Sequence, residues 1–246
     1  MRNLISAAAV FAVTSVTTAL PVQAQNAAPV VVELFTSQGC YSCPPAEAFL
    51  GELAERPDVV ALEFHVDYWD SLNYMWHGQW KDPFSAPEYT RRQRLYNVAI
   101  RGQSGVYTPQ MIIDGRLEAV GSRREQVELA IRKAASDRVK LTVSVTASGG
   151  GFKVAVTGAA KGLGDVLLVR FLDRVTTEVK KGENHGKVLV SRHVVRDMQT
   201  LGAWRGAETA FDLPGDTNGM RCAVIVQAPD HGPILGASLC PKGPSS

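Results

Sequence analysis

Four cysteines stand in two pairs, and the first pair has the spacing of thiol chemistry. In Cys40-Tyr41-Ser42-Cys43 two thiols are three positions apart. Val30-Val31-Val32-Glu33-Leu34-Phe35 before them reads as a buried strand. Pro44 to Ala54 after them reads as a helix, with Ala46, Phe49, Leu50, Leu53 and Ala54 on one face. The cysteines thus sit where a strand hands over to a helix N-terminus. The unpaired N–H groups and positive dipole end there favour a thiolate on the first cysteine. The expected chemistry is thiol–disulfide exchange, with Cys40 as exposed nucleophile and Cys43 as buried resolving thiol. Two other readings stay open. The pair could be half of a zinc site, although the remaining cysteines lie far away without matching spacing. It could also be a structural bridge, although closing so small a loop restricts the unfolded chain little.

The second pair calls for a different chemistry. Cys222 and Cys240 flank Ala223 to Leu239, and His231 lies midway. A hairpin turning at Pro229-Asp230-His231-Gly232-Pro233 sets the two cysteines opposite each other, within disulfide range. A structural disulfide is expected here.

Several side chains are placed to assist the first pair. Glu33, on the strand before Cys40, is a candidate for proton transfer or simply faces solvent or a neighbouring side chain. His65, Asp67 and Asp70 cluster at the end of a second strand, and alternation puts His65 and Asp67 on one face. They could form a proton-shuttling pair, His65 could join two thiolates around Cu(I), or the group could be an ordinary hydrogen-bonded strand end. Tyr89, Arg92, Gln93 and Tyr96 form a stripe that either lines a substrate groove with Trp76 and Trp80 or packs inward.

The elements that must position these residues change character near Ser136-Asp137-Arg138. Upstream, strands alternate with helices. Val59 to Val66 is an apolar strand, and Ser85-Ala86-Pro87-Glu88 resembles a capping box opening a helix to about Ile100. Val106 to Ile113 is a strand interrupted by Pro109, Asp114-Gly115 is a hairpin-type turn, and Arg123 to Ala135 is helical. This order predicts an α/β, thioredoxin-like N-terminal domain over residues 25–138. In such a fold Pro109 is expected to be cis and to abut the cysteine pair, with Thr108, Tyr41 and Trp80 contacting substrate. Downstream the period becomes two. Leu141 to Thr146, Phe152 to Val156, Asp165 to Leu172, Val188 to Val194, Thr209 to Leu213, Cys222 to Gln227 and Ile234 to Leu239 predict a C-terminal all-β sandwich domain over residues 139–246.

The N-terminus predicts the compartment. Arg2, the apolar run Leu4 to Leu20 and Val22-Gln23-Ala24 have the form of a signal peptide over residues 1–24, although an uncleaved anchor is the other reading. Cleavage after Ala24 would start the mature chain at Gln25. No later segment is apolar enough to span a bilayer. The expectation is an exported protein, periplasmic or secreted, where disulfides persist. With 26 Lys+Arg against 24 Asp+Glu, the net charge of +2 gives no reason to expect nucleic acid as a partner.

Val32 to Pro45, His65-Val66-Asp67-Tyr68-Trp69-Asp70, Trp80-Lys81-Asp82-Pro83-Phe84 and Val106-Tyr107-Thr108-Pro109-Gln110 together resemble the secreted family called domain of unknown function 1223. Gly182-Glu183-Asn184-His185-Gly186 and His193-Val194-Val195-Arg196 match its second half, whereas the segment Ser71 to Gly78 is longer than the family's. The resemblance implies a thioredoxin-like domain followed by a β-rich one, and no established activity. The functional expectation is an exported thiol–disulfide oxidoreductase without a cofactor. It would act through Cys40 and Cys43 on a thiol or disulfide protein or a small thiol, with an unidentified redox partner. The alternatives are a copper(I) carrier and a non-catalytic binding scaffold.

Overall fold

The computed structural model describes residues 28–74, 78–137, 141–158, 162–215 and 219–242. The expected signal peptide, the domain boundary at Arg138 and Trp76 lie outside them.

The apolar run after Pro29 forms β1 (Val30–Thr36), and the helix expected after the cysteines is α1 (Pro44–Leu53). Next come β2 (Val59–His65), the two-residue strands β3 (Asn73–Tyr74) and β4 (Gly78–Gln79), and α2 (Pro87–Arg101). They are followed by β5 (Gln110–Ile113), β6 (Leu117–Val120) and α3 (Arg124–Ser136). Strand β5 begins only after Pro109, which has no N–H to give a ladder. Asp114 (φ 48°) and Gly115 (φ 64°) make the expected tight turn into β6. A Cβ on Gly115 would lie 2.7 Å from the Gly232 carbonyl oxygen, so the turn must also be bare. The capping box does not form. Ala86 is the N-cap of α2, and the Ser85 hydroxyl instead donates to Asp70 Oδ2 at 2.6 Å.

The alternating segments give β7 (Thr142–Ser148), β8 (Gly151–Thr157), β9 (Gly164–Glu178), β10 (Val188–Trp204), β11 (Thr209–Leu213), β12 (Arg221–Gln227) and β13 (Ile234–Leu239). They do not make a separate domain. One eight-stranded sheet runs in the order β13-β12-β9-β10-β2-β1-β5-β6, while β11-β8-β7 form a second, three-stranded sheet.

The expected architecture, a thioredoxin-like α/β domain followed by an all-β sandwich domain, is therefore overturned. Among the described residues there are thirteen strands and three helices, and the main sheet takes strands from both halves of the chain. The physical reason lies at the junction of β2 and β10. Every residue of β2 is buried, so an open edge there would leave polar backbone groups unsatisfied. Val194 pairs with Glu63 in parallel, and His193, held at φ 53°, brings its Nδ1 to 2.9 Å from the Ala61 carbonyl oxygen. One apolar core then runs through both halves: Phe35, Phe64, Tyr89 and Tyr96 pack with Phe171, Val195 and Ile225 beneath α2. On the opposite face α1 and α3 cover Val32, Leu34 and Met111. The three-stranded sheet closes a third core around Trp204, Val224 and Val226.

Candidate functional site

Strands β1 and β2 are parallel and in register at Thr36 and His65, while Phe35 lies opposite Gln110 of antiparallel β5. The loops that follow Thr36 and His65 and the one that precedes Gln110 therefore meet at one end of the sheet. The first carries the cysteines, the second carries Asp67 to Asp70, and the third carries Thr108-Pro109. Trp69 joins all three. Its Nε1–H donates to Thr108 Oγ1 at 2.9 Å, and a Cβ on Gly39 would stand 3.6 Å from its own Cβ. The Thr108–Pro109 bond is cis, and Pro109 is buried.

Cys40 and Cys43 form a disulfide with Cα atoms 5.4 Å apart, and Cys43 is the N-cap of α1. Cys40 was expected to be exposed, but it is 0% exposed, as is Cys43. The β9–β10 turn is hydrogen-bonded to the cysteine loop. Asn184 Nδ2 donates to the carbonyl oxygens of Gln38 and Cys40, each at 2.9 Å, and the Tyr41 N–H donates to Glu183 Oε2 at 2.8 Å. Lys187 Nζ donates to Asn184 Oδ1 at 2.8 Å and lies 4.2 Å from the centre of the Tyr41 ring. Tyr41 itself is 65% exposed.

A buried ionic chain lies on the other side of the cysteine loop. His65 Nδ1 is 2.7 Å from Asp82 Oδ2 and its Nε2 is 2.9 Å from Glu63 Oε1. The same Asp82 oxygen accepts the Gln38 N–H at 2.8 Å, which ties the chain to the loop two residues before Cys40. Burial alone would lower the pKa of His65, but Asp82 and then Glu63 outweigh it and raise it well above the usual histidine value. Asp82 is pushed up by burial, yet His65 wins and holds it below the usual carboxylate range. The expected partner, Asp67, instead accepts the Thr90 hydroxyl at 2.5 Å. The alternation that aligned it with His65 stops where β2 ends.

Glu47 stands one turn after Cys43 on the same side of α1 and accepts the Thr36 hydroxyl at 2.7 Å. Burial first, and then the nearby Glu63 charge, push its carboxyl up to about 8. Glu33 serves elsewhere. It takes Arg92 Nε at 2.8 Å and the Tyr96 hydroxyl, and Arg92 Nη2 reaches Gln227 Oε1 at 3.0 Å. The Tyr89-Arg92-Gln93-Tyr96 stripe is thus buried, and its Tyr89 and Arg92 also line a cavity with Arg196, Gln227 and His231. Trp80 is half-buried, and its indole N–H has no acceptor among the described residues.

With both ring nitrogens engaged, His65 has no lone pair to offer a metal, and a copper(I) set would be left with two thiolates. Among the described residues there is no cluster of three or more His, Cys, Asp or Glu arranged to hold a metal ion.

The sequence carried signals for what was missed. Glu63 interrupts an otherwise apolar strand, and Glu47 falls on the apolar face of a helix between Ala46 and Leu50. Asp82, Glu183 and Asn184 lie in segments that mark the family, without a role attached.

The model of the family described as "Protein of unknown function (DUF1223)" matches residues 31–227. The chain belongs to this DUF1223 family. A crystal structure of an Agrobacterium tumefaciens protein is similar, with 34% identity and a TM-score of 0.77, over 91% of this chain and 98% of that one. HBP35 of Porphyromonas gingivalis has a TM-score of 0.52 at 14% identity, over 89% of this chain and 78% of that one, a likeness of fold alone. A comparison with curated proteins finds no match. In this DUF1223 chain every cysteine is paired, the second bridge being Cys222–Cys240 with Cα atoms 5.2 Å apart. Two disulfides fit an oxidising environment. No described helix is long and apolar enough to cross a membrane.

Proposed function

We propose that the protein is an exported thiol–disulfide oxidoreductase acting through Cys40 and Cys43. The observation that carries this reading is the setting of the first bridge. It caps a helix N-terminus and is flanked by Glu47 and by the Glu63–His65–Asp82 chain, where a purely structural bridge needs only apolar packing.

In the oxidising direction a partner thiolate attacks Cys40 Sγ, the Cys40–Cys43 bond breaks, and Cys43 leaves as a thiolate. The partner's second thiolate then attacks the partner sulfur of the mixed disulfide and releases the Cys40 thiolate. Two electrons pass from the partner to the pair, and the partner's two protons go to the new thiols or to solvent. Glu47, which holds a proton near neutral pH, is positioned to exchange one with Cys43. The reverse sequence reduces a partner.

The complete burial of both cysteines favours a second reading, a static bridge. The reduction potential separates the two, measured by equilibrating the protein in glutathione or dithiothreitol buffers. Exchange chemistry predicts a value between about −120 and −270 mV, and a value below about −300 mV sinks the proposal in favour of the static bridge. Export is part of the same proposal, supported by the form of the N-terminal segment and by the two disulfides.

A further inference from the structure

We infer that the tip of the β9–β10 hairpin, residues 180–187, is a gate over the Cys40–Cys43 disulfide, and that Asn184 and Glu183 are the positioning residues that hold it shut. The inference rests on the exchange reading, because a static bridge needs no entrance.

The first argument is access. A thiolate must approach a disulfide along the S–S axis, and both cysteines are 0% exposed. No attack is feasible until something moves, and the tip is the segment hydrogen-bonded to the loop at Gln38, Cys40 and Tyr41.

The second argument is how the tip is carried. Strand β9 pairs with β12 only over Asp165–Phe171, and β10 meets β2 at Val194. The outer pairs, from Arg192↔Arg174 to Val188↔Glu178, have no further strand beside them among the described residues. This arm crosses α1, anchored by Arg192 Nη2 on Glu55 Oε1 at 2.6 Å, and its far end reaches the cysteines. The tip is tied within itself. The Gly186 N–H donates to the Val179 carbonyl oxygen at 2.8 Å, Val179 N–H to Lys187 at 2.9 Å, and Lys187 N–H to Asn184 at 3.0 Å. Gly182 (φ 76°) and Gly186 (φ 80°) supply the two left-handed positions of the turn. It can therefore swing as one piece.

The third argument is what holds it. Asn184 is fully buried and spends both amide protons on the Gln38 and Cys40 carbonyl oxygens, while Glu183 takes the Tyr41 N–H. Val179 and Leu189, buried at the base of the tip, belong to none of the three cores. Both ends of the Gln38 side-chain amide are buried without a partner among the described residues, an uncompensated cost within the closed site. The contacts on the cysteine loop are polar and lie outside the three cores, so the tip can open while those cores stay intact. Small reagents then wait on opening, and partners that displace the tip are selected over those that cannot.

The test is the rate at which a water-soluble phosphine (TCEP) reduces the oxidised mature chain, with new thiols trapped by a maleimide and each pair located by mass. The phosphine attacks one sulfur, the other leaves as a thiolate, and water converts the adduct to phosphine oxide. Two electrons pass from phosphorus to the disulfide. In the parent protein the Cys40–Cys43 rate is expected to level off as phosphine rises, because opening limits it. Asn184→Ala and the isosteric Asn184→Asp, which removes both amide donors, should reduce about tenfold to a hundredfold faster. Glu183→Gln should have a smaller effect, and Cys222–Cys240 should keep its rate in all three. Equal rates in parent and Asn184 variants overturn the gate, as does an acceleration of both disulfides together, the mark of global unfolding. A static-bridge potential with accelerated variants would sink the exchange reading and reduce the tip to a cover that limits access without serving exchange. An exchange-range potential with unaltered rates would keep the exchange reading and overturn the gate.

Discussion

The two disulfides join cysteines at nearly the same Cα separation but sit in opposite surroundings. Cys222–Cys240 bridges neighbouring strands, reinforced by the Cys240 N–H donating to the Cys222 carbonyl oxygen at 2.8 Å, and packs with Leu141, Val154 and Trp204. Cys40–Cys43 spans a loop and a helix cap. It lies between a polar tip from the far half of the chain and a buried run of carboxylates around His65. The lesson is that two equally buried bridges can be held by different kinds of contact. The second bridge packs among apolar side chains, whereas the loop of the first is held through its backbone by hydrogen bonds.

The largest expected effect breaks the ionic side of this contrast. His65→Leu leaves the Glu63 and Asp82 carboxylates buried without their cation and should cost about 3–5 kcal/mol in urea unfolding. A loss under about 1 kcal/mol would mean the chain is not charged as described. Next come the bridges themselves. Removing Cys222–Cys240 by a double alanine substitution should cost about 3 kcal/mol, and removing Cys40–Cys43 should cost less, because its loop is much shorter. The opposite order, measured under one set of conditions, would erase the contrast between the two bridges.

A smaller effect sharpens the comparison through pH. Glu47, raised to about 8 in the folded protein, keeps its proton where the unfolded chain has already lost it. The folded state then binds more protons between the ordinary carboxylate range and about 8, so stability falls as pH rises through that window. Glu47→Gln removes this slope. The variant should gain on the parent by up to about 1.4 kcal/mol per pH unit within the window, read as unfolding midpoints at pH 6 and pH 8. Parallel curves would show that Glu47 is ionised throughout. The smallest effect belongs to Tyr41→Leu, which removes an exposed ring from beneath Lys187 and should change stability by less than about 1 kcal/mol.

Much of the secondary structure was legible because its causes are local. The apolar run of β1, the helical face of α1 and the turn at Asp114-Gly115 each follow from neighbours a few positions apart. The opposed Cys222 and Cys240 followed from strand register about a single turn, and the structure places them so. The surroundings of the first bridge were not legible in this way. Asn184 reaches Cys40 across a sequence separation of 144, and Glu183 reaches Tyr41 across 142. Asp67 was chosen as the partner of His65 by extending alternation past the strand, when the partner was Asp82 on a separate loop. The position of Glu33 before Cys40 leaves it either a proton carrier or a partner of neighbouring side chains, and only the fold shows that Arg92 and Tyr96, from a helix on the other face of the sheet, take it.

By itself the sequence determined the closely spaced cysteine pair, the helix that begins at it, the opposed second pair and the alternating strands, because period, spacing and register are properties of short stretches. The tertiary structure alone decided that the two halves share one sheet, that the cysteines are sealed, and which carboxylates surround His65. Those outcomes depend on satisfying the buried edge of β2 and the backbone groups of the cysteine loop. Only distant segments could supply the partners, and no local pattern names them.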